Sequence, residues 1–445
     1  MKSNRNVIGY SLIVALGGFL FGLDTAVISG AEKTIQQLYN LSNGWLGFTV
    51  AIALIGTIVG SFSAGWPSEL FGRKKVLIFI ALLYGFSALG CAFTPSWLIL
   101  VILRFLGGVA IGASSVIGPI YIAEIAPAKI RGRLVAFFQL NVVFGIFIAF
   151  ISNYFFANIG DNAWRWMLGV VAAPSFIFFG LVFLIPDSPR WLVKHNRIKE
   201  ARNVLVLCGR TTEIDNEIQD IVESMNIHND SLAERLFSKK YSRPILYAVL
   251  LAAFNQLSGI NAIMYYAPRI FEMTGLGSNT SFLQSAVIGG TNLIFTIIAM
   301  SIIDRYGRRT LLIVGSFGLT IFLGLIARAF YLKAFDGSSV MWFLVGNQIF
   351  FAMSQGTIIW VFISEIFPNV IRSKGQALGS FTHWFGAAAI SWTFPIIANS
   401  SAFGPGNAFL FFSIMMLLQL LFAWKLMPET KGKSLEQIQI DLGIK

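Results

Sequence analysis

An acidic residue lies inside an apolar stretch of this sequence. Residues 18–30 read GFLFGLDTAVISG and place Asp24 in a stretch suited to crossing a bilayer. An ionised carboxylate at that depth costs at least ~2.5 kcal/mol, so Asp24 needs a partner or a proton. Arg104, in VILRFLGGVAIG, is the candidate partner. The pair is interpreted either as a structural ion pair that positions helices or as a site that takes up and releases a proton.

Several amide and aromatic side chains also fall within apolar stretches. Amides both donate and accept hydrogen bonds, and aromatic faces pack against apolar surfaces, so together they could bind a small polar ligand. For any single amide the alternative is a hydrogen bond between helices. The candidates for binding are Gln139, Asn255, Gln256, Asn261, Asn292, Trp360, His383 and Trp384.

These residues lie in apolar runs that have the composition of membrane helices. The chain has 445 residues, of which 56% are hydrophobic and only 12% are charged, and its mean hydropathy is +0.72. These values lie far from those of an ordinary soluble domain. Apolar runs near the ~20 residues that cross a hydrocarbon core predict an all-α, multi-pass membrane protein with twelve spans. The spans are expected at about 7–30, 45–66, 76–95, 97–122, 134–158, 165–186, 243–268, 281–303, 310–332, 340–363, 375–398 and 406–427.

The distribution of charge predicts the topology. The net charge of +12 would by itself be compatible with nucleic-acid binding. Most of the 33 lysines and arginines, however, fall on the side of the membrane that holds both termini. By the positive-inside rule that side is cytoplasmic. The basic charge is therefore a topology signal, and no nucleic-acid partner is expected.

The sequence repeats itself across its two halves. Residues 69–77, ELFGRKKVL, return as 304–312, DRYGRRTLL, and residues 121–133, YIAEIAPAKIRGR, return as 362–374, FISEIFPNVIRSK. Two six-span repeats of the same topology are typical of transporters. The predicted domains are an N-terminal six-helix bundle at 1–189, a cytoplasmic linker with amphipathic helices at 190–242, a C-terminal six-helix bundle at 243–428 and a cytoplasmic tail at 429–445.

No pattern in the sequence supports an enzyme. Gly432-Lys433-Ser434 resembles the end of a phosphate-binding loop, but Met427 stands where that loop requires glycine. The three histidines are dispersed, and the two cysteines have no metal-site or redox spacing. No catalytic residue, metal or cofactor is expected.

Seven short motifs follow one another along nearly the whole chain. They are 72–74, 304–309, YIAEIAPAKIRG at 121–132, PDSPRWL at 186–192, QLSGINAIMYY at 256–266, SEIFP at 364–368 and PETKGKSLE at 428–436. In sequence and in order these motifs resemble those of the sugar porter family, a branch of the major facilitator superfamily. The resemblance implies the major facilitator fold, with two six-helix bundles and short cytoplasmic linker helices, alternating access and a monosaccharide substrate. The nearest pattern is that of bacterial proton-coupled xylose and glucose symporters.

The resemblance also implies roles for individual residues. Such proton symporters carry an aspartate in the first span and an arginine in the fourth, which favours Asp24 and Arg104 as the proton-coupling residues. The amides and tryptophans above match sugar-contacting places. Two departures are Asn255, which is shorter than the usual glutamine, and His383, which replaces a usual amide. His383 is interpreted either as a contact for a substrate hydroxyl or as a neutral histidine bonded within the bundle.

A helix break and a set of loop charges are candidates for gating. Gly259 would let the seventh helix bend over the sugar, with Tyr265 and Tyr266 closing the path, unless these tyrosines only pack. Ion pairs at cytoplasmic helix ends would form a latch that parts when the bundles rock, although the same charges also set the topology. The latch candidates are Arg73, Glu124, Arg131, Asp304, Arg308, Glu365 and Arg372.

Taken together, these features predict a proton-coupled symporter of a hexose, pentose or polyol in the bacterial inner membrane, with a monomer as the functional unit. Its partners would be the monosaccharide, the proton and the lipid bilayer. One alternative is a facilitative uniporter in which Asp24 and Arg104 form a structural pair. A further alternative is a transport-inactive sugar sensor, which an extended cytoplasmic signalling tail would favour.

Overall fold

The structure is a computed structural model that describes residues 2–209, 214–230, 235–335, 338–368, 370–433, 435–442 and 444. Within these ranges the regular elements are helices, and no strand is present. A helix pairs its backbone polar groups within its own segment, which is what a chain crossing lipid requires. The all-α prediction is confirmed.

The N-terminal part of the chain forms long helices with short connections. Gly72 separates two of them and has φ 94°, a left-handed conformation that glycine adopts without steric cost. The sixth predicted span is divided between two helices. The helices are α1 (Lys2–Leu38), α2 (Asn43–Ser63), α3 (Gly65–Phe71), α4 (Arg73–Phe93), α5 (Trp97–Ile125), α6 (Ala128–Phe156), α7 (Ala163–Gly169) and α8 (Ala172–Val182).

Short helices occupy the polar linker. The side chain of Ser188 caps the first of these, because its hydroxyl accepts a hydrogen bond from the backbone N–H of Trp191 at 3.4 Å. The predicted amphipathic linker includes a helix that begins at Ile214, whose side chains at 224–230 lie outside the described part of the structure. The linker elements are α9 (Pro189–Lys194), α10 (Ile198–Leu207), α11 (Ile214–Asp230) and a 3-10 turn at Lys239–Tyr241.

The C-terminal part repeats the arrangement of long helices. Two of its predicted spans are broken, one at Gly259 and one at Ser354. Gly307, with φ 90°, separates two helices as Gly72 does in the first repeat. The helices are α12 (Ser242–Leu257), α13 (Ile260–Glu272), α14 (Ser278–Tyr306), α15 (Arg308–Leu332), α16 (Ser339–Met353), α17 (Gln355–Ile366), α18 (Arg372–Ala398), α19 (Gly404–Lys425) and α20 (Leu435–Asp441).

The lengths of these helices fit a membrane. Within the described ranges, 11 helical segments are long and apolar enough to cross one. The remaining predicted span, 375–398, lies in α18, a helix of 27 residues. That helix is long enough to cross, but it carries polar side chains such as Thr382 and His383 in its interior. The chain is therefore a multi-pass membrane protein, as predicted.

The chain divides into two compact units. The first unit contains Met1–Val27, Ile55–Ala149 and Arg165–Ala233, and it includes the packed helices α4, α5 and α8. The second unit contains Ile28–Leu54, Phe150–Trp164 and Glu234–Lys445, and it includes the packed helices α15 and α19. A buried apolar core in the second unit joins residues of α12, α17 and the short helix α20. The tail after residue 428 is thus part of that core.

Candidate functional site

Asp24 is held in α1 by close helix packing. Its side chain is buried, and its Oδ2 faces α5 at Gly107, where an added Cβ would lie 3.7 Å from it. That distance is an ordinary van der Waals contact, and the closer neighbour of such a Cβ would be Oγ of Ser87 on α4, at 2.6 Å. The packing of α1 on α6 is tighter, since a Cβ at Gly22 would lie 1.8 Å from the carbonyl oxygen of Val142. Small residues of this kind let membrane helices approach closely, and here they place the acidic side chain.

Arg104 lies on α5, one turn before Gly107, and is also buried. It is near enough to Asp24 for their charges to interact. Among the described residues, however, no ion pair within 4 Å joins the two side chains, and Nε of Arg104 lacks a hydrogen-bond partner. A buried carboxylate without a direct counter-ion is costly when ionised and is therefore a candidate for protonation.

Four of the predicted binding residues meet in the second unit. The Nε2 of Gln256 donates to Oδ1 of Asn255 at 2.9 Å and lies 3.0 Å from Nδ1 of His383. The Oε1 of Gln256 accepts from Nδ2 of Asn261 at 2.5 Å. Gly386 makes room for this contact, because a Cβ there would lie 3.0 Å from the side chain of Gln256. Gln256 is thus the centre of an amide cluster contributed by α12, α13 and α18.

Aromatic rings border this cluster. The ring of His383 lies 4.9 Å from that of Trp360 and 4.8 Å from that of Trp384, measured between centroids. Both tryptophans are partly exposed, and so is Asn261. A cluster of donors and acceptors beside aromatic faces has the composition of a site for a polyhydroxylated ligand.

The cluster continues into the core through two glutamines. The Nδ2 of Asn255 donates to the backbone carbonyl of Gln355 at 3.3 Å, at the break between α16 and α17. The Nε2 of Gln355 in turn donates to Oε1 of Gln419 on α19 at 2.6 Å. Gln419 is not among the binding residues predicted from the sequence. A single amide in an apolar helix is the signal that could have found it.

Two other predicted binding residues make no hydrogen bond with this cluster among the described contacts. Asn292, on α14, is buried and accepts a hydrogen bond from the hydroxyl of Thr296 at 3.5 Å. Gln139, on α6, is half-buried and belongs to the first unit, whereas the amide cluster belongs to the second. Their participation in binding therefore remains a prediction.

The predicted hinge has an irregular backbone. Gly259 adopts φ 75° between α12 and α13, and a Cβ there would lie 2.4 Å from the ring of Phe412. Further along α13, Tyr266 has non-helical dihedral angles, φ −123° and ψ 20°, and Pro268 supplies no backbone N–H. Tyr265 and Tyr266 are buried, and the hydroxyl of Tyr266 donates to the backbone carbonyl of Ser391 at 2.9 Å.

The latch candidates of the first repeat form an ionic cluster. Arg73 donates from Nε and Nη2 to the two oxygens of Glu124, at 3.0 Å each. The same Nη2 lies 2.7 Å from Oε1 of Glu69, and Oε2 of Glu69 binds Lys194 of the linker at 2.5 Å. Burial raises the pKa of Glu69, but the hydrogen bond from Lys194 and the charge of Arg73 outweigh it and hold this pKa below its usual range.

The latch candidates of the second repeat form a related cluster. Arg308 donates from Nη2 to Oε1 of Glu365 at 2.9 Å. The other oxygen of Glu365 accepts from the hydroxyl of Thr430 at 2.6 Å. Neither Thr430 nor the pair formed by Glu69 and Lys194 was identified from the sequence.

The other latch candidates are placed differently. Arg131 is exposed and makes no ion pair within the described ranges. Arg372 donates from Nε to the backbone carbonyl of Phe367 at 3.3 Å, and the described contacts include no ion pair with Glu365. The side chain of Asp304 lies outside the described part of the structure.

Comparison with known proteins assigns the family. Residues 10–442 match the family described as sugar (and other) transporter. The chain belongs to this family. It is 37% identical to the arabinose-proton symporter of Bacillus subtilis, over 97% of this chain and 94% of that protein. It is 36% identical to the D-xylose-proton symporter of Escherichia coli strain K12, over 97% and 95%.

Solved structures agree with this family and give the fold. An inward open conformation of the E. coli xylose transporter XylE is 35% identical, matches with a TM-score of 0.86, and covers 98% of this chain and 99% of its own. XylE bound to 6-bromo-6-deoxy-D-glucose, described as a major facilitator superfamily proton:xylose symporter, matches with a TM-score of 0.80, 35% identity and coverage of 99% and 100%. The protein has the major facilitator fold, as the sequence predicted.

Proposed function

We propose that this sugar transporter family member is a proton-coupled monosaccharide symporter that works by alternating access. The observation that carries the proposal is Asp24, a buried carboxylate in a membrane helix with no direct counter-ion among the described contacts. Protonation removes the cost of its charge, and Arg104 nearby favours the ionised form, so small changes in their separation would exchange a proton. The uniporter alternative needs a structural ion pair, for which these contacts offer less support.

The amide cluster around Gln256 supports the assignment of a sugar as the cargo. Every amide in it both donates and accepts, which matches the dual character of sugar hydroxyls. Trp360 and Trp384 offer aromatic faces for the ring. We assign Gln139 and Asn292 to the same binding function on the basis of family resemblance, and His383 to the recognition of one hydroxyl. The named relatives transport arabinose and xylose with protons, so a pentose or a hexose is the proposed substrate.

Proton coupling supplies enough energy to concentrate a sugar. One proton that moves down ~100 mV yields about 2.3 kcal/mol. At ~1.4 kcal/mol per tenfold change in concentration, that energy supports accumulation of about 50-fold. A pH gradient would add to this value.

The remaining assignments are part of the same proposal. Residues 1–189 and 243–428 act as the two bundles that rock during transport, the linker at 190–242 and the tail at 429–445 are cytoplasmic, and both termini face the cytoplasm. The protein resides in a bacterial inner membrane and works as a monomer. Arg73, Glu124, Arg308 and Glu365 act as the cytoplasmic latch.

Transport by purified protein in proteoliposomes tests the coupling. Labelled arabinose, xylose, galactose and glucose are supplied under an imposed inward proton gradient, with an uncoupler as the control. We expect one sugar to accumulate up to about 50-fold, and Asp24→Asn to reduce this to equilibration while sugar exchange continues. Asp161→Asn, in an exposed loop, serves as the matched control. Equal accumulation by Asp24→Asn would refute the proton site, and gradient-independent uptake by the parent protein would identify a facilitator.

The sugar site is tested by substitution in the amide cluster. Gln256→Ala and Trp360→Ala should each raise the KM for the transported sugar at least tenfold, which corresponds to about 1.4 kcal/mol of lost binding. Gln219→Ala, an exposed glutamine of the linker, should leave the KM unchanged. An unchanged KM in both cluster variants would place the sugar elsewhere.

A further inference from the structure

Two oppositely charged pairs join the end of α1 to the end of α13 in the second unit. Arg269 faces Glu32 with two contacts, Nε to Oε1 at 2.7 Å and Nη2 to Oε2 at 2.6 Å. One residue further along α1, Lys33 binds Oε2 of Glu272 at 2.5 Å. The charges therefore run negative then positive on α1, and positive then negative on α13, so the two helix ends are complementary.

The two pairs differ in burial. The side chains of Glu32 and Arg269 are 2% and 11% exposed, whereas that of Lys33 is 53% exposed. Gln36 completes the buried pair, because its Oε1 accepts a hydrogen bond from Nη2 of Arg269 at 2.7 Å. A buried pair that combines a charge-assisted hydrogen bond with a second short contact has a restricted geometry, whereas an exposed pair with lysine is worth little. We call Glu32, Gln36 and Arg269 the α1–α13 clasp.

The clasp contacts the end of α13, a helix whose backbone is irregular at several positions. The left-handed Gly259 precedes α13, Tyr266 breaks its helical geometry, and Pro268 removes one of its backbone hydrogen bonds. Arg269 follows these interruptions directly. A helix interrupted in this way can change its direction at low cost, so a contact at its far end decides where that end lies.

The same two helices carry the residues of the proposed function. Asn261, which binds Gln256 in the amide cluster, lies at the start of α13, and Asp24 lies on α1. We propose that Glu32 and Arg269 are positioning residues that lock α13 over the sugar site, and that this lock must part before sugar can enter along α13. The inference rests on the proposed sugar site but not on proton coupling.

A permanent structural staple would make the same static contacts, so the test must detect opening. Cys91 and Cys208 are replaced by serine to remove the native thiols, and Ala267→Cys introduces a reporter at a fully buried position between Tyr266 and Pro268. The readout is the rate at which a membrane-impermeant maleimide labels this cysteine in protein reconstituted in nanodiscs. Labelling requires neither sugar nor a proton gradient.

We expect Glu32→Gln and Arg269→Gln each to raise the labelling rate at least tenfold, because either change leaves a charge of the clasp without its partner. Exchange of the two charges, Glu32→Arg with Arg269→Glu, should bring the rate back toward that of the parent. Gln36→Leu removes a neutral acceptor of the clasp, together with the bonds that Nε2 of Gln36 donates to Leu41 and Asn43, and should raise the rate less. Lys33→Gln is the matched control on the exposed pair and should change the rate less than twofold.

Rates that stay within twofold of the parent in both Glu32→Gln and Arg269→Gln would overturn the inference. Should the exchange variant fail to fold, as judged by its elution in gel filtration, the single variants and Gln36→Leu still decide the outcome. If the parent protein accumulates sugar in proteoliposomes but the clasp variants are labelled at the parent rate, the clasp is refuted and the proposed function is retained. If the parent protein transports none of the sugars but the clasp variants are labelled faster, the proposed function is refuted. The clasp would then control access to a site for a different substrate.

Discussion

The two latch clusters arise from one repeated motif, yet their glutamates are bound differently. In the first unit, Arg73 binds both oxygens of Glu124 at 3.0 Å. In the second unit, the oxygens of Glu365 are divided between Arg308, at 2.9 Å, and the hydroxyl of Thr430, at 2.6 Å. The motif therefore supplies the same arginine and glutamate in each unit without fixing how they meet.

The backbone around the two arginines is nearly identical. Each arginine follows a glycine with positive φ, 94° at Gly72 and 90° at Gly307. A carboxylate fills the space beside each glycine, since an added Cβ would lie 2.5 Å from an oxygen of Asp187 in one case and of Glu429 in the other. These carboxylates accept backbone N–H bonds at the starts of α4 and α15, where the helix dipole favours negative charge.

The two glutamates are bound differently because segments outside the repeated motif contribute to each latch cluster. The first cluster extends through Glu69 to Lys194 on the linker helix α9. The second extends through Glu365 to Thr430 in the tail that follows α19. The first latch therefore depends on charge at its periphery, whereas the second includes a neutral hydrogen bond. Substitutions that remove charge should affect the first latch more.

The largest expected contrast is between Arg73→Gln and Arg308→Gln. Arg73 is the only described partner of the Glu124 side chain, and loss of one partner of a buried pair costs about 3–5 kcal/mol. Glu365 is more exposed and keeps its bond from Thr430, so Arg308→Gln should cost less. The melting temperature of detergent-solubilised protein measures both. Arg133→Gln, on an exposed arginine, is the control, and a larger drop for Arg308→Gln would contradict the comparison.

The sequence predicted the helices and the members of the main clusters for physical reasons. Bilayer thickness fixes the length of an apolar run, so the spans could be read directly. Polar side chains have a high free-energy cost in lipid, so a polar residue within an apolar run is a candidate for a functional role, as Gln256 and His383 were. The repeated glycine-arginine motif likewise identified Arg73 and Arg308. Their partners Glu124 and Glu365 were named because they recur in the second repeated motif.

The sequence could not predict which side chains meet. Helices that are apolar nearly all round carry little information about the face they turn to a neighbour. A direct ion pair between Asp24 and Arg104, which was one of the two interpretations of these residues, is absent among the described contacts, although both are buried. The pairing of Glu32 with Arg269 joins residues 237 apart in sequence and depends on the rotation of two helices. No local pattern specifies such a rotation.

A smaller effect is expected from the hydroxyl that distinguishes the second latch. Thr430→Val removes the donor to Glu365 while it keeps the shape of the side chain, and a hydrogen bond to a charged group contributes about 1.5–3 kcal/mol. We expect the melting temperature to fall, and Thr430→Ser, which keeps the hydroxyl, to restore most of the difference. If Thr430→Val in an Arg308→Gln background costs nothing further, the two donors do not share Glu365 as described.

The smallest effect concerns the peripheral pair of Glu69 and Lys194, whose side chains are 42% and 53% exposed. Because water and salt screen such a pair, Lys194→Gln should cost only about 0.2–1 kcal/mol of unfolding free energy.

The same pair should make this cost depend on pH, because the pKa of Glu69 in the folded protein is held below its usual range. The pair therefore stabilises the fold fully at pH values above the usual pKa of glutamate, about 4.3. This stabilisation is lost as the pH falls through the lowered pKa of the folded protein. The difference in melting temperature between parent and Lys194→Gln should therefore be constant from neutral pH to about pH 5 and shrink at lower pH. It should also shrink in high salt, whereas the contribution of Thr430 should not. A pH-independent difference would mean that Lys194 acts through packing, and the first latch would then be no more dependent on charge than the second.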